Sequence, residues 1–402
     1  MTKTAPYQAY CDKRRLAYQF RQLQETTPLS DGCAECDGKT YINFGGNDYL
    51  GLSQHPKLIA RAQDYAKHYG VGATASRLVT GNLPIYRAIE QKLAQGKGCE
   101  TALVMNSGYQ ANITVLPALA DTKIIGKSVT ILADRLCHNS LLQGALLSGA
   151  QLIRFDHNDY DHLKKLLQQE REKDAHIIIV TESVFGMDGD RADLATLIAL
   201  KEKYDAMLYV DEAHATGLFG ANGFGFAADH NGAIDIVMGT FGKALGSFGA
   251  YIACSTMLHD FLVQRCGGFI YSTALPPTVL GAIEAALEII PTMQSERDYL
   301  QTQAERLRQH LQQQGWQCGT STTQIIPIIL GDEKAATTLA EQLKKSGVLA
   351  PAIRPPTVPR GTSRLRISLS AAHKAADIDH LIEVMASQAS RFATPQTQSL
   401  AS

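Results

Sequence analysis

One lysine, one carboxylate and one imidazole have the types and spacing of a catalytic site. Lys243 stands in the stretch 240–254 among glycines that let other groups approach the backbone closely. Asp211 ends the apolar run 207–210, and His214 follows it three residues later. A buried carboxylate needs a cation or hydrogen-bond donors, because an unpaired buried charge is costly. These side chains therefore predict a single polar site in which Asp211 has a positive partner.

This combination is the one expected of an enzyme that uses pyridoxal phosphate. In such enzymes a lysine forms a Schiff base with the cofactor, and a carboxylate keeps the pyridine nitrogen protonated so that the ring accepts electrons. Two simpler interpretations remain open at this point. Asp211 could cap the following helix, and the glycines around Lys243 could form only a tight turn.

The elements that would position these residues are apolar runs alternating with helix-length stretches. The runs span residues 101–108, 128–138, 175–183, 206–214 and 233–243. Such alternation predicts βα units and a mostly parallel sheet, hence an α/β fold. Each run ends in polar, small or ionisable residues, and open α/β sheets bind ligands at the carboxyl ends of their strands. The site is therefore expected along one edge of the sheet.

The pattern along the chain predicts four segments. Residues 1–44 are expected to form an N-terminal arm and residues 45–290 a large cofactor-binding domain. After residue 291 a long charged, glutamine-rich helix leads into an apolar strand, another helix and a second strand, which predicts a smaller α/β domain over 291–388. The composition of 389–402 predicts a disordered tail.

Composition narrows the class of protein. The chain has 402 residues, 45% hydrophobic and 19% charged, with a formal net charge of −1. That balance provides no general attraction to nucleic acid or to an anionic membrane. We find no signal peptide and no apolar run of membrane-spanning length, which predicts a cytoplasmic protein. The eight cysteines are expected to be free thiols, and the single pair Cys33 and Cys36 is a weak metal or redox signal.

Several ordered motifs resemble the α-oxoamine synthase family of fold type I pyridoxal phosphate enzymes. They are VDEAHATG and TFGKALG, with TESVFGMDGD, NSGYQAN, FGGNDYLGL, SRLVTGN and YSTALPP. The resemblance covers most of the chain. It implies a large domain with a mostly parallel central sheet, a smaller C-terminal α/β domain and an N-terminal arm. The segment AIRPPTVPRGTSRLRISLSAAH is similar to members that join L-alanine to a pimeloyl thioester.

The resemblance implies a role for each matching residue at the cofactor ring. Lys243 would be the Schiff-base lysine and the base that removes the α-proton, and Asp211 would pair with the pyridinium. His214 would bond the phenolic oxygen and His138 would stack on the ring, both assisting proton steps. Ser183 would lie near the ring. Without the family pattern, His138 would more simply be a satisfied core histidine.

Further roles concern the phosphate and the substrates. Ser107, Gly108, Tyr109 and Thr240 would bind the phosphate, with Thr273 reaching it from the neighbouring subunit of a homodimer. Arg354 would bind the amino-acid carboxylate with help from Asn47, because a guanidinium can hold both carboxylate oxygens. Arg21 would lie near the acyl group. The resemblance implies no metal.

Alternatives to this function remain. Relatives that use glycine or serine are the nearest alternative, and Gly186, where many relatives carry serine, leaves the acyl preference open. A nicotinamide-dependent dehydrogenase would need a GxGxxG after the first strand, which is lacking. A scaffold protein would not explain the converging ionisable groups. The pimeloyl group could arrive on coenzyme A or on an acyl carrier protein.

Overall fold

The computed structural model describes residues 2–393. The helices are α1 Ala5–Leu16, α2 Pro56–Tyr69, α3 Ile85–Lys97, α4 Gly108–Leu119, α5 Thr122–Ile125, α6 Asn139–Leu147, α7 Tyr160–Glu172, α8 Leu194–Lys203, α9 Thr256–Arg265, α10 Gly267–Ile270, α11 Pro277–Ile289, α12 Gln294–Gln313, α13 Glu333–Lys345 and α14 Ala375–Phe392. The strands are β1 Thr27–Pro28, β2 Cys33–Cys36, β3 Lys39–Asn43, β4 Thr101–Met105, β5 Val129–Asp134, β6 Gln151–Phe155, β7 His176–Glu182, β8 Met207–Asp211, β9 Ile236–Thr240, β10 Ala250–Cys254, β11 Ile325–Gly331, β12 Val348–Leu349, β13 Ala352–Ile353 and β14 Ser363–Ser368.

These elements form two compact units. The larger unit comprises residues 50–186 and 191–297. The smaller unit comprises the chain up to Tyr49, the short segment 187–190 and the chain from Asp298 onward. The predicted domain boundaries after residues 44, 290 and 388 stay predictions, because a compact unit need not coincide with a domain that folds independently.

The larger unit is built on a seven-stranded sheet in the order β4-β10-β9-β8-β7-β5-β6. Neighbouring strands are parallel except that β10 runs antiparallel to both β4 and β9. The predicted mostly parallel sheet is confirmed, and each of the five predicted apolar runs contains a strand. The strands β5 and β7 are buried almost throughout, as expected of parallel strands covered on both faces.

Polar residues end four neighbouring parallel strands of this sheet. Asp134, Glu182, Asp211 and Thr240 are the last residues of β5, β7, β8 and β9. Glu182 and Asp211 are direct neighbours in the register of β7 and β8. Since parallel strands end at a common edge, this edge collects the ionisable groups that the sequence predicts for the site.

The smaller unit contains a four-stranded sheet, β1-β2-β3-β12, and a three-stranded sheet, β11-β14-β13. The residues expected to form only an N-terminal arm contribute β3, which pairs with β12 from the C-terminal part of the chain. The strands β11 and β14 and the helix α12 lie where the sequence predicts them. The predicted tail, 389–402, begins inside α14, so its first residues are helical; residues 394–402 lie outside the described residues.

Two further features bear on the expected class of protein. All eight cysteines lie within residues 2–393 and are free thiols, as the sequence predicts. Over the same residues, no helix combines the length and the apolar character needed to cross a bilayer.

Candidate active site

Lys243 and His214 come together at the edge of the large sheet. Lys243 lies in the connection from β9 to β10, and its Nζ is 2.8 Å from Nε2 of His214. His214 is buried. The connection needs glycine at position 246, where φ is +63° and a Cβ would lie 2.4 Å from the backbone of Leu52 and Ser53. Close packing against a neighbouring segment therefore explains this glycine.

Asp211 is held by neutral donors. Its residue is 4% exposed. The Oδ1 atom accepts a hydrogen bond of 2.8 Å from the backbone N–H of Ala213, and Oδ2 accepts one of 2.9 Å from Nδ2 of Asn112. These bonds fix the carboxylate in one orientation, so amide groups stabilise it in its buried position. The positive partner that the sequence predicts for Asp211 stays a prediction.

His138 is exposed to solvent, and one nitrogen of its ring contacts Ser140. It occupies the N-cap position of α6, where Nδ1 accepts a hydrogen bond of 3.2 Å from the backbone N–H of Ser140 and lies 2.7 Å from the Ser140 hydroxyl. Partial removal from water lowers the pKa of His138; Asp211 opposes this shift, and Lys243 adds to it. Contacts with Ser140 thus fix the ring, and its stacking role toward the cofactor stays a prediction.

Glu182 anchors the backbone of His138. Its Oε1 accepts a hydrogen bond from the His138 backbone N–H, and the residue is 4% exposed. Burial raises the pKa of Glu182 well above its ordinary range, and the adjacent carboxylate of Asp211 raises it further. Glu182 therefore stays neutral at the pH where an exposed glutamate is ionised.

This raised pKa makes stability depend on pH. The folded chain keeps a proton on Glu182 that the unfolded chain releases above the ordinary glutamate pKa, so the stability contribution is full at low pH and is lost as pH rises. Replacing Glu182 with glutamine removes this cost and keeps an oxygen acceptor for His138. Above the ordinary glutamate pKa, we expect the free energy of unfolding of Glu182→Gln to exceed that of the wild type by up to about 1.4 kcal/mol more for each pH unit. Denaturant unfolding at several pH values measures the gain.

A second glutamate provides a control of opposite sign. Glu170 bonds the Thr130 hydroxyl and the Lys173 ammonium. Burial opposes ionisation, but these bonds lower the pKa of Glu170 overall. Its stability contribution is therefore present above the ordinary glutamate pKa and lost as pH falls. Glu170→Gln should lose stability at neutral pH, and a Glu182→Gln variant that behaved in the same way would contradict the assignment of a neutral Glu182.

The predicted phosphate loop follows β4. Ser107 is the N-cap residue of α4, and its hydroxyl accepts a hydrogen bond of 3.2 Å from the Gln110 N–H. The amides of Gly108 and Tyr109 belong to the first turn of that helix, where N–H groups have no carbonyl partner within the helix. Tyr109 is 50% exposed. The loop therefore presents amide donors at the positive end of a helix dipole, which suits a phosphate.

The other two predicted phosphate ligands make contacts of their own. The Thr240 hydroxyl donates to the Gly249 carbonyl at 2.8 Å and accepts from the Gly242 N–H at 3.2 Å. Thr273 is exposed, and its carbonyl accepts a hydrogen bond of 2.7 Å from Nδ2 of Asn106. The phosphate roles of both threonines stay predictions.

Ser183 gives a test of whether a further group fits this site. The residue is fully buried beside Asp211, whose carbonyl accepts a bond of 3.0 Å from the Ser183 N–H. Among the described residues its Oγ has no hydrogen-bond partner. A buried hydroxyl without a partner costs about 1–3 kcal/mol, so the site suits a ligand with a polar atom here. The oxygen-bearing ring of the predicted cofactor meets that requirement.

The predicted substrate residues lie in the smaller unit. Arg354 donates to the Tyr18 carbonyl and, at 3.5 Å, to the Thr337 hydroxyl. Burial lowers the pKa of Arg354, and the guanidinium groups of Arg21 and Arg14 lower it further. The resulting concentration of positive charge suits an anionic ligand group.

Asn47 and Arg21 complete the predicted substrate set in this unit. Oδ1 of Asn47 accepts a hydrogen bond of 2.9 Å from the Tyr49 hydroxyl, and Arg21 donates to the Thr357 hydroxyl at 3.1 Å. Their roles toward a substrate stay predictions.

Four residues that the sequence did not predict for the site lie beside predicted ones: Asn112, Ser140, Glu182 and Arg14. Asn112 lies one helical turn after Gly108, so an i, i+4 relation from the phosphate loop would have found it. The end of β7 offered the same signal for Glu182 as the end of β8 did for Asp211. The sequence offered no signal for Ser140 or Arg14.

A buried ion pair supports the segment that carries Asp211 and His214. Lys97 on α3 bonds Glu212, and both side chains are fully buried. The second oxygen of Glu212 accepts a bond of 3.0 Å from the Ala227 N–H, and Lys97 also reaches the Thr216 hydroxyl at 3.3 Å. Burial opposes the charge on Lys97, but the Glu212 carboxylate outweighs it and raises the pKa of Lys97. The pair therefore fixes the backbone on both sides of His214.

Gly186 controls the space around His214. A Cβ at position 186 would lie 2.4 Å from Nε2 of His214, the nitrogen that contacts Lys243. Many relatives carry serine at this position, but in this chain the His214 imidazole occupies the space that a Cβ needs. We therefore expect Gly186→Ala to displace the imidazole and lower kcat by about tenfold to a hundredfold, because catalytic groups tolerate displacements of less than about 1 Å. Steady-state kinetics with the predicted amino-acid and thioester substrates measures the loss.

A glycine in an open setting serves as the control for this change. A Cβ at Gly267, the first residue of α10, would meet its nearest neighbour at 3.8 Å. Gly267→Ala should leave kcat close to the wild-type value. Equal rates for both variants would show that His214 does not need its observed position.

One cluster outside this site has ligand atoms of the kind metals bind. Asp156, Asp159 and His162 place such atoms within 4.8 Å of one another. His162 bonds Asp156 at 3.1 Å, and Asp159 caps α7 through the His162 N–H. Helix capping by Asp159 and the contact between Asp156 and His162 therefore account for this cluster.

Comparison with known proteins agrees with the architecture. Residues 39–385 match the aminotransferase class I and II family. The chain belongs to this family. It is 50% identical over 376 residues to the 8-amino-7-oxononanoate synthase of Gluconacetobacter diazotrophicus, which covers 93% of the chain and 94% of that protein. The family match and this relative confirm the resemblance that the sequence motifs indicated.

Solved structures of related enzymes have the same fold. A serine palmitoyltransferase from S. paucimobilis, with a bound PLP–myriocin adduct, has a TM-score of 0.90 and 29% identity over 97% of this chain and 99% of that one. The 8-amino-7-oxononanoate synthase from Francisella tularensis has a TM-score of 0.74 and 25% identity over 87% and 98%. The predicted fold, fold type I of the pyridoxal phosphate enzymes, is confirmed.

Proposed function

We propose that this protein is an 8-amino-7-oxononanoate synthase of biotin biosynthesis. It condenses L-alanine with a pimeloyl thioester and releases carbon dioxide and the carrier thiol. The enzyme is a transferase, and its cofactor is pyridoxal 5′-phosphate. The choice of substrates is supported by 50% identity, along 93% of the chain, to a protein that bears this name.

One observation carries the reaction class. Nζ of Lys243 lies 2.8 Å from Nε2 of His214. His214 follows the buried residue Asp211 by three positions in the chain. A lysine amine that contacts an imidazole can lose or regain a proton without solvent. A buried carboxylate fixed by two amide donors can hold a cationic ring nitrogen. This arrangement suits amino-acid chemistry on pyridoxal phosphate.

The residues of the chain divide the work at the cofactor. When bound, pyridoxal phosphate accepts the electron pair left at the α-carbon of the amino acid after a bond to that carbon breaks. Asp211 would hold the pyridine nitrogen, and the amides of Gly108 and Tyr109 would bind the phosphate. Lys243 would move the α-proton at its Nζ, with His214 as hydrogen-bond partner. His138 would stack on the ring and exclude water from its face.

Arg354 is our proposed ligand for the amino-acid carboxylate. The nearby charges of Arg21 and Arg14 would strengthen its attraction for an anion. Asn47 would assist Arg354, and Arg21 would lie near the acyl group. The pimeloyl chain could be carried by coenzyme A or by an acyl carrier protein.

We also propose that the enzyme works in the cytoplasm as a homodimer with shared sites, in which Thr273 reaches the phosphate of the neighbouring subunit. Light scattering of the purified protein tests the dimer. Mixing a Lys243→Ala chain with a Thr273→Ala chain tests the sharing, because hybrid dimers should recover part of the activity that each variant alone lacks.

A second function has specific support. The serine palmitoyltransferase from S. paucimobilis has the higher TM-score of the two structures described above, 0.90 against 0.74. A related enzyme that condenses serine or glycine with an acyl thioester would keep the same cofactor site. Its amino-acid substrate would differ from that of the proposed synthase.

The near-visible absorbance spectrum separates these functions. The purified protein is titrated separately with L-alanine, glycine and L-serine, and the cofactor band is followed. We expect L-alanine to shift the band at the lowest concentration and to support condensation with pimeloyl-coenzyme A or the pimeloyl carrier protein. A selective response to serine or glycine would replace the proposed substrate. A chain that binds no pyridoxal phosphate would overturn the reaction class.

A further inference from the structure

Asn112 links two predicted site residues. It lies on α4 and is 1% exposed. Its amide nitrogen donates to Asp211 Oδ2 and to the Ser140 hydroxyl, each at 2.9 Å, and its amide oxygen accepts from the Tyr209 hydroxyl at 2.7 Å. The amide thus has a partner for each of its polar atoms, deep within the larger unit.

The carboxylate determines which way this amide faces. Oδ1 of Asp211 accepts from the Ala213 N–H and Oδ2 faces Asn112. Since an ionised carboxylate can only accept hydrogen bonds, the amide nitrogen of Asn112 must face it. The second amide hydrogen then points to Ser140. A reversed amide would place two acceptor oxygens against each other.

Ser140 in turn orients the ring of His138. The Ser140 oxygen receives a hydrogen from Asn112, so its own hydrogen is free to point toward Nδ1 of His138, 2.7 Å away. The Ser140 backbone N–H points to the same nitrogen at 3.2 Å. The backbone N–H is a fixed donor, so a proton on Nδ1 would face it and is disfavoured; with Nδ1 bare, the Ser140 hydroxyl donates to it as well.

The helix that follows acts in the same direction. His138 caps the N-terminus of α6, where the helix dipole is positive and disfavours an imidazolium. Partial removal from water also lowers the pKa of His138; Asp211 acts against this shift, and Lys243 reinforces it. Each influence except that of Asp211 favours the neutral ring.

We propose that Asn112 and Ser140 are positioning residues that hold His138 as a neutral imidazole with its proton on Nε2. Asp211 sets the direction of the hydrogen bonds, Asn112 and Ser140 transmit it, and His138 presents an N–H donor to an oxygen of the acyl substrate. The use of this donor rests on the proposed function. The proton position itself depends only on the contacts within the chain.

Nitrogen NMR of the ring tests the proton position directly. The full-length chain with bound cofactor is labelled with ¹⁵N-histidine, and the His138 signals are assigned by their loss in His138→Asn. The two ring nitrogens differ in chemical shift according to which one carries the proton. The variants are Ser140→Ala, which removes the hydroxyl donor, Ser140→Thr, which keeps it, and Ser148→Ala, which removes a hydroxyl that bonds the Ala145 carbonyl after the same helix.

We expect the Nε2–H form in the unaltered chain, in Ser140→Thr and in Ser148→Ala. In Ser140→Ala the share of the Nδ1–H form should rise, and kcat/KM should fall about fivefold, the equivalent of one lost hydrogen bond. A proton on Nδ1 in the unaltered chain, or a Ser140→Ala spectrum identical to it, would overturn the proposal. If the tautomer is as expected but alanine is not condensed, the proposed function fails and this inference stands.

Discussion

Replacing Lys243 with alanine should lower the rate of condensation by about 10³-fold or more and remove the cofactor absorbance that depends on covalent attachment to the lysine. The side chain combines two tasks, since its amine would attach the cofactor and would also move the α-proton. The variant also loses the 2.8 Å contact between Nζ of Lys243 and His214. Absorbance and single-turnover kinetics of the reconstituted variant measure both losses.

An exposed lysine in the same unit is the control for this experiment. Lys123, on the short helix α5, lies on the surface. Lys123→Ala should keep the absorbance band and the rate. Binding of pyridoxal phosphate without covalent attachment would separate the two tasks of Lys243, whereas ordinary turnover by Lys243→Ala would show that the proposed mechanism is wrong.

Replacing Lys97 with methionine should lower the free energy of unfolding by about 3–5 kcal/mol, because the carboxylate of Glu212 would stay buried without its cation. Both side chains of the pair are fully buried. The loss should also reach the site, since Glu212 lies between Asp211 and His214 in the chain. Denaturant unfolding at a fixed protein and cofactor concentration measures the loss.

Two further variants identify its cause. Lys92 lies on the same helix and pairs with Glu288, both partly exposed, so Lys92→Met should cost less than about 1 kcal/mol. The double variant Lys97→Met with Glu212→Gln removes both charges and should recover part of the loss. A double variant no more stable than Lys97→Met alone would show that packing, and not the unpaired charge, sets the cost.

Sequence patterns located the parallel strands β5, β7, β8 and β9 because each lies in a short apolar run that ends in polar residues. They missed β6, which runs parallel to β5 but is mostly not buried. They also missed β10, whose residues are as buried as those of the located strands. Its direction was still encoded in the chain, because the connection from Thr240 to Ala250 is too short for the crossover of about a dozen or more residues that a parallel neighbour requires.

Some residues of the predicted site could be found from the sequence, and others could not. Lys243, Asp211 and His214 could be found because each stands in a short motif with a recognisable neighbour. The partnership of Asn112 with Asp211 could not, since it joins residues 99 positions apart through the folded sheet. Likewise Ser140 meets Asn112 only when α4 and α6 are in place. Such contacts depend on tertiary structure and have no local pattern.

The place of β10 in the sheet also governs when the site can form during synthesis. The strand β4, which leads into the phosphate loop, has β10 as its only neighbour in the seven-stranded sheet, with Met105 opposite Ala250. The strand β4, which leads into the loop at Ser107, therefore has no sheet partner until the chain has been synthesised as far as Cys254, the end of β10. Lys243 emerges just before that point. Because this pairing joins distant parts of the chain, and such pairings are slow to form, we expect the phosphate loop to be fixed only after Lys243 has been synthesised.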